Sequence, residues 1–258
     1  MTLFAEVRHL SSAKAPLVLL HGFGGFGASW APVIARLDPD QPLVVYDLPG
    51  HGRSLDAEGV GHAGVMAKAI LDDLDKRGLS FFHLCGHSMG GAIASLIALR
   101  APDRVASLTL VAPGGFGPEI DHRALQRYGL AVEPDELAGG LAAMAAQGVA
   151  FESAGLERLA AARRIAGAAD RLMEILQSFL VETDGQIGQG TLPLSSFSDL
   201  GIPTQLLWGT ADPILPVAQA KNIWQGAEVT LIEAAGHMLI DEAPERVAAA
   251  IRAAMAEG

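Results

Sequence analysis

Short apolar runs recur along this chain, each closed by Gly, Pro or Asp, and helix-period segments lie between them. The runs occupy residues 16–20 (P-L-V-L-L), 42–46 (P-L-V-V-Y), 80–85 (S-F-F-H-L-C), 106–111 (A-S-L-T-L-V), 204–208 (T-Q-L-L-W) and 228–232 (E-V-T-L-I). Near-continuous apolarity over so few residues predicts strands covered on both faces, as in a parallel sheet. Apolar spacing of three to four predicts helices over 29–37, 62–77, 89–100, 217–225 and 244–255, with Pro244 suited to a first helical turn. Alternation of this kind leads to an α/β fold: a mostly parallel central sheet with helices on both faces.

Residues 117–197 break the alternation. They contain no convincing buried strand, and residues 156–180 repeat apolar positions at helical spacing. The expected organisation is a core built from 1–116 and 198–258, with 117–197 inserted as a helical cap. A plain surface bundle is the alternative. The cap is preferred because insertions after the C-terminal ends of parallel strands lie where ligands bind.

Composition narrows the function. Lys plus Arg is 18 against 29 for Asp plus Glu, a net charge of −11. Such a chain is a poor partner for nucleic acid or an anionic membrane. The single cysteine, Cys85, excludes an internal disulfide and a thiolate zinc cluster, and inside an apolar run it reads as a small buried hydrophobe. The N-terminus does not read as a signal peptide, and no apolar run reaches the length of a membrane span. The expectation is a soluble, cytoplasmic protein acting on a small molecule, with no nucleic-acid or membrane partner. The sequence says nothing of oligomeric state.

Residues 86–90 spell G-H-S-M-G, between an apolar run and a helical segment. A sharp turn there projects the Ser88 hydroxyl above the sheet, and the residues two before and two after must be tiny. A serine needs a base, and the base needs an orienting acid. Of eight histidines only His122 and His237 follow Ser88, and His237 sits in a loop at the end of the 228–232 strand. Asp212, four residues past Trp208, leaves a neighbouring strand end; Asp184 and Asp199 are worse placed. A surface-loop histidine and a turn aspartate before Pro213 are the plain alternatives. The run 21–25 (H-G-F-G-G) lets backbone approach a substrate closely, so the Phe23 and Met89 amides are the expected oxyanion donors, with His21 holding the loop. No Walker lysine accompanies the glycine run.

Taken in order, P-L-V-L-L-H-G-F-G-G, Y-D-L-P-G-H-G-R-S, G-H-S-M-G-G, W-G-T-A-D-P-I-L-P and A-A-G-H-M-L-I-D-E-A-P-E-R-V resemble the α/β-hydrolase fold superfamily over nearly the whole chain. The runs H-G-F-G-G and L-V-A-P-G-G-F-G-P-E-I look like the hydrolase-like C-terminal domain of acetoin dehydrogenase acyltransferase subunits. Those subunits also carry a lipoyl domain, and only about 15 residues precede the first strong strand here, so hydrolysis is the expected chemistry. The resemblance brings in small-molecule esterases, hydrolases of carbon–carbon bonds in ring-fission products and cofactor-free haloperoxidases. Family dehalogenases carry Asp where this chain has Ser88.

The combined expectation is a serine hydrolase cleaving a small ester or thioester through an acyl-enzyme. Ser88, Asp212 and His237 would be catalytic, with no metal or organic cofactor. Alternatives are carbon–carbon bond hydrolysis, a dihydrolipoamide acetyltransferase-like role and a non-catalytic binding module. Phe23, Met89, Phe116, Phe179 and Trp208 are candidate wall residues of an apolar pocket, each more often plain core.

Overall fold

The computed structural model describes residues 3–12 and 14–258. Among the described residues nine strands form: β1 Ala5–Arg8, β2 Leu17–Leu20, β3 Leu43–Tyr46, β4 Phe82–His87, β5 Val105–Val111, β6 Leu180–Thr183, β7 Gln186–Gln189, β8 Thr204–Gly209 and β9 Glu228–Ile232. The α-helical segments of the same residues are α1 Ala31–Ile34, α2 Ala63–Lys76, α3 Met89–Arg100, α4 His122–Leu130, α5 Pro134–Met144, α6 Ser153–Arg163, α7 Ala168–Phe179, α8 Leu239–Glu242 and α9 Pro244–Glu257.

Seven strands make one sheet in the order β1-β3-β2-β4-β5-β8-β9. All pairs are parallel except β1 with β3. Alternate side chains along the central strands enter different cores. Val18, Leu20, Leu84, Leu108 and Leu206 pack on one face with Met66 and Ile70 of α2 and Ile93 and Ile97 of α3. Leu17, Leu19, Cys85, Val111 and Leu207 pack on the other with Val33 of α1 and Val247 and Ile251 of α9. Two buried faces explain why these strands read as continuous apolar runs.

The sheet also corrects the sequence reading. The run 228–232 is not buried on both faces: β9 is an edge strand, and Val229 and Leu231 are 45% and 52% exposed. The strand β1 has no apolar signature because A-E-V-R is a short, largely exposed edge strand. The helix expected over 29–37 is a 3₁₀ turn, Gly27–Trp30, followed by the single turn of α1. That over 217–225 is a 3₁₀ turn, Val217–Asn222.

Residues 117–197 leave the C-terminal end of β5, beside β4 in the middle of the sheet, and hold α4 to α7. The segment 156–180 is not one helix. Gly167, at φ 83°, separates α6 from α7, and Leu180 already begins β6. The segment also contains the hairpin β6–β7, whose turn is Asp184-Gly185 with φ 53° and 74°. Asp-Gly between extended residues is a strong type I′ hairpin signal, but the strands it joins are too exposed to read as buried runs.

Candidate active site

The site begins with one strained residue. Ser88 lies between β4 and α3 at φ 53°, ψ −118°, which a non-glycine residue adopts only where its surroundings dictate it. The dictation is steric and hydrogen-bonded. A Cβ at position 86 would collide with the backbone of Gly90, and one at position 90 with the carbonyl oxygens of Leu20 and His21. The Ser88 N–H donates to Val111 O, and Ser88 O accepts from Gly91, Ala92 and Gly114.

Above the strand ends, Ser88 Oγ donates to His237 Nε2 at 2.9 Å, and His237 Nδ1 donates to Asp212 Oδ2 at 2.8 Å. Asp212 Oδ1 accepts from the Ile214 and Leu215 N–H groups at 2.8 and 2.9 Å. The Asp212 carboxyl is thus an acceptor on both oxygens, which fixes the imidazole proton on Nδ1 and leaves Nε2 to accept. The imidazole and the carboxyl are buried. The structure therefore joins Ser88, His237 and Asp212 in one hydrogen-bonded chain, across 149 and 25 residues of sequence.

The His237 backbone is held just as tightly. Its carbonyl accepts from His87 Nε2, and its N–H donates to Met144 O. Burial, helped by the adjacent His237 ring, pushes the His87 imidazole down to about 3, so it is a neutral donor. Glu242 takes the flanking amides. Oε2 accepts from Gly236 and Ala146, and Oε1 accepts from Met238.

The loop 21–25 carries its own bracing. His21 Nδ1 donates to Gly22 O while Nε2 accepts from the Leu48 N–H, and burial keeps the ring from charging. His51 Nε2 accepts from Gly24 N–H, and Gly24 O accepts from the Tyr128 hydroxyl and Arg163 Nη2. Arg163 is 5% exposed, and its other partners are the Tyr128 and Gly129 carbonyls. Phe23 shares one cavity wall with Ser88 and Met89 another, and neither residue's N–H has a hydrogen-bond acceptor among the described residues.

Two chambers meet at Ser88. The larger, about 320 Å³, is walled mainly by Phe23, Leu125, Tyr128, Leu141, Met144, Leu159 and Met238, together with the charged or titratable His237, Asp241, Glu152 and Arg158. The smaller, about 70 Å³, is walled by Met89, Ala92, Ile120, Phe179, Leu192 and Ile214 among others. Segment 117–197 contributes to both walls. Of the candidate wall residues, Phe116 and Trp208 belong instead to the core, where their rings meet edge-on at 6.0 Å.

Glu242, Asp241, Arg163 and Tyr128 escaped sequence reasoning. The first two stand in the run that carries His237, but their partners are set by the tertiary fold. Arg163 and Tyr128 lie in the insertion with no motif to mark them. Asp241 is distinctive: burial first, and the adjacent Glu242 second, push its carboxyl up to about 7. Among the described residues no three His, Cys, Asp or Glu side chains converge to hold a metal ion, and no helix is long and apolar enough to cross a membrane.

A sequence profile of the alpha/beta hydrolase family matches residues 17–250. The acetyltransferase component of the acetoin cleaving system of Pseudomonas putida, which acts on a dihydrolipoyllysine residue, is 34% identical over 90% of this chain and 61% of its own length. The chain thus spans about three-fifths of that relative. The carboxylesterase CesB of Bacillus subtilis superposes with a TM-score of 0.77 at 19% identity, covering 100% of this chain and 93% of its own. The 2-hydroxy-6-oxo-6-phenylhexa-2,4-dienoate hydrolase of Rhodococcus sp. RHA1 reaches 0.79 at 18% identity, covering 98% and 99%. Identities this low carry the fold alone.

Proposed function

The chain belongs to the alpha/beta hydrolase family, and on that premise we propose that it is a serine hydrolase cleaving a small-molecule ester or thioester through an acyl-enzyme. The observation that carries the reading is the unbroken chain Ser88–His237–Asp212 at 2.9 and 2.8 Å.

Ser88 Oγ attacks the carbonyl carbon as His237 Nε2 takes its proton. Asp212 holds the imidazole in the accepting tautomer and stabilises the imidazolium that forms. The oxyanion is met by the Phe23 and Met89 N–H groups, the second at the N-terminus of α3. Collapse of the tetrahedral intermediate breaks the bond to the leaving group, which departs with the proton from His237. Water, deprotonated by His237, then releases the acid and restores Ser88. Residues 117–197 serve as a cap that shapes the substrate space. The relative from the acetoin cleaving system supports a second reading at the same site: a thiol in place of water would receive the acyl group.

The test is labelling with a fluorophosphonate followed by intact mass. One adduct on the native protein, lost in Ser88→Ala, supports the assignment. Ser88→Ala should also lose most turnover of an activated ester, keeping only the roughly 10³–10⁴-fold residual that binding and oxyanion contacts supply. Labelling that persists in Ser88→Ala would refute it.

A further inference from the structure

Resting on that reading, we infer that the substrate pairs a short acyl group, lodged in the smaller chamber, with a larger leaving group bearing a hydrogen-bond donor that docks on Asp241. The first half follows from where the acid stands. His237 must hand its proton to the leaving oxygen or sulfur, so that atom faces the imidazole. His237 belongs to the wall of the larger chamber and not to that of the smaller. As the Ser88 Oγ–acyl bond forms and the acyl–leaving-group bond breaks, the leaving group therefore departs on the His237 side. The acyl chain extends the other way.

The smaller chamber then measures the acyl group. Its volume is about 70 Å³. A dry cavity of about 150 Å³ takes a six-carbon ring, so this one takes about three carbons beyond the carbonyl. Its wall is apolar where the chain would lie: Ala92, Ile120, Phe179, Leu192 and Ile214.

The second half follows from an unpartnered group. The wall of the larger chamber is mostly apolar; of its charged side chains, Glu152 and Arg158 approach each other at 3.9 Å, whereas the Asp241 carboxyl makes no hydrogen bond or ion pair among the described residues. Asp241 is half-buried, so water meets its carboxyl in the open chamber; a substrate that fills the chamber displaces that water, which is unfavourable unless a donor on the substrate replaces it. Its neighbour Glu242 spends both oxygens on backbone amides; Asp241 spends neither. A hydroxyl or comparable donor on the leaving group supplies what the protein does not.

Two substrate series test this. With p-nitrophenyl esters, kcat/KM should peak at four acyl carbons or fewer and fall at least tenfold by eight. Leu192→Ala, or Ile120→Ala if the first fails to fold, should shift the optimum to longer chains. An optimum at eight carbons or beyond, or a profile unmoved in both variants, overturns the acyl half. With butyrates of ω-hydroxyalkyl alcohols and their matched n-alkyl esters, a terminal hydroxyl should raise kcat/KM at least tenfold over the isosteric methyl at one chain length. Asp241→Leu should bring that ratio within twofold of unity. No preference at any length, or one that survives Asp241→Leu, overturns the other half. Fluorophosphonate labelling of the same preparations separates the two levels: labelled protein with the wrong profile overturns this inference alone, and unlabelled protein overturns the hydrolase reading with it.

Discussion

Replacing Glu242 with alanine removes three hydrogen bonds at once: from Gly236 N–H at 2.7 Å, Met238 N–H at 2.9 Å and Ala146 N–H at 3.0 Å. The first two flank His237, and the third ties its loop to the end of α5. A hydrogen bond to a charged group contributes about 1.5–3 kcal/mol, which sets a ceiling of about 4.5–9 kcal/mol for three. Glu242 is only half-buried, so water reaches part of the vacancy, and bonds sharing one carboxylate are not additive; about 3–5 kcal/mol is expected. At roughly 2–4 °C per kcal/mol for a chain of this size, the melting temperature should drop by about 6 °C or more. Glu242→Gln keeps one carbonyl acceptor and turns an amide donor toward another N–H, so it should fall between wild type and alanine. The imidazole does not touch Glu242, but its backbone is set by it, and a displacement of about 1 Å costs on the order of 10²-fold in rate. Thermal melts and steady-state kinetics on a short activated ester should show kcat reduced at least tenfold in Glu242→Ala, with KM changed less. A melting temperature within 1 °C of wild type, or kcat within about twofold, would show that the three bonds do not hold the loop.

Further expectations follow from single contacts. Gly90→Ala drives a methyl into the Leu20 and His21 carbonyls, which are backbone and cannot swing aside, so a loss above about 4 kcal/mol should appear in denaturant melts. Tyr128→Phe removes one donor from Gly24 O but leaves Arg163 at 2.9 Å, so it should cost about 0.5–1.5 kcal/mol and less than tenfold in kcat/KM. Arg163→Met on top of it, leaving Gly24 O without either donor, should cost more than the product of the single effects. Asp241 has a carboxyl raised from 3.8 to about 7, so the folded state binds this proton more tightly than the unfolded chain. Its contribution is fully present below about pH 4 and is lost as pH rises through about 7, by up to about 4 kcal/mol. Asp241→Asn should therefore gain stability relative to wild type between about pH 4 and 7, and parallel unfolding curves across that window would contradict the burial argument.

The elements that could be read locally are those whose environment is uniform along the chain. Runs such as L-V-L-L and L-V-V-Y lie wholly inside, so every position is apolar and the strand declares itself. The elbow declares itself because its two glycines fall within five residues, although only Gly86 answers a neighbour inside the motif, the Gly90 backbone, while Gly90 answers the Leu20 and His21 carbonyls. Edge strands do not: A-E-V-R has no apolar pattern, and E-V-T-L-I has one that misleads, because exposure depends on the neighbour that is missing rather than on the residues present. Asp184-Gly185 carried a hairpin signal that was legible but masked by the polarity of β6 and β7.

For the site, chain order and strand-end position were enough to single out Ser88, Asp212 and His237, since loops after neighbouring parallel strands must converge on one edge. Their distances, and the amides that hold them, came only with the fold. Glu242 finds Ala146 across 96 residues, and Arg163 finds Gly24 across 139. No local pattern encodes such pairs, because each is a polar group, half-buried for Glu242 and buried for Arg163, satisfied by whatever backbone the packing happens to deliver. The same holds for the two chambers: their sizes depend on how α4, α5 and α7 settle over the strand ends. Sequence alone marked which residues could be assembled at the strand ends; tertiary packing decided how much room surrounds them and set Asp241 in the wall of that room with no hydrogen bond or ion pair to its carboxyl among the described residues.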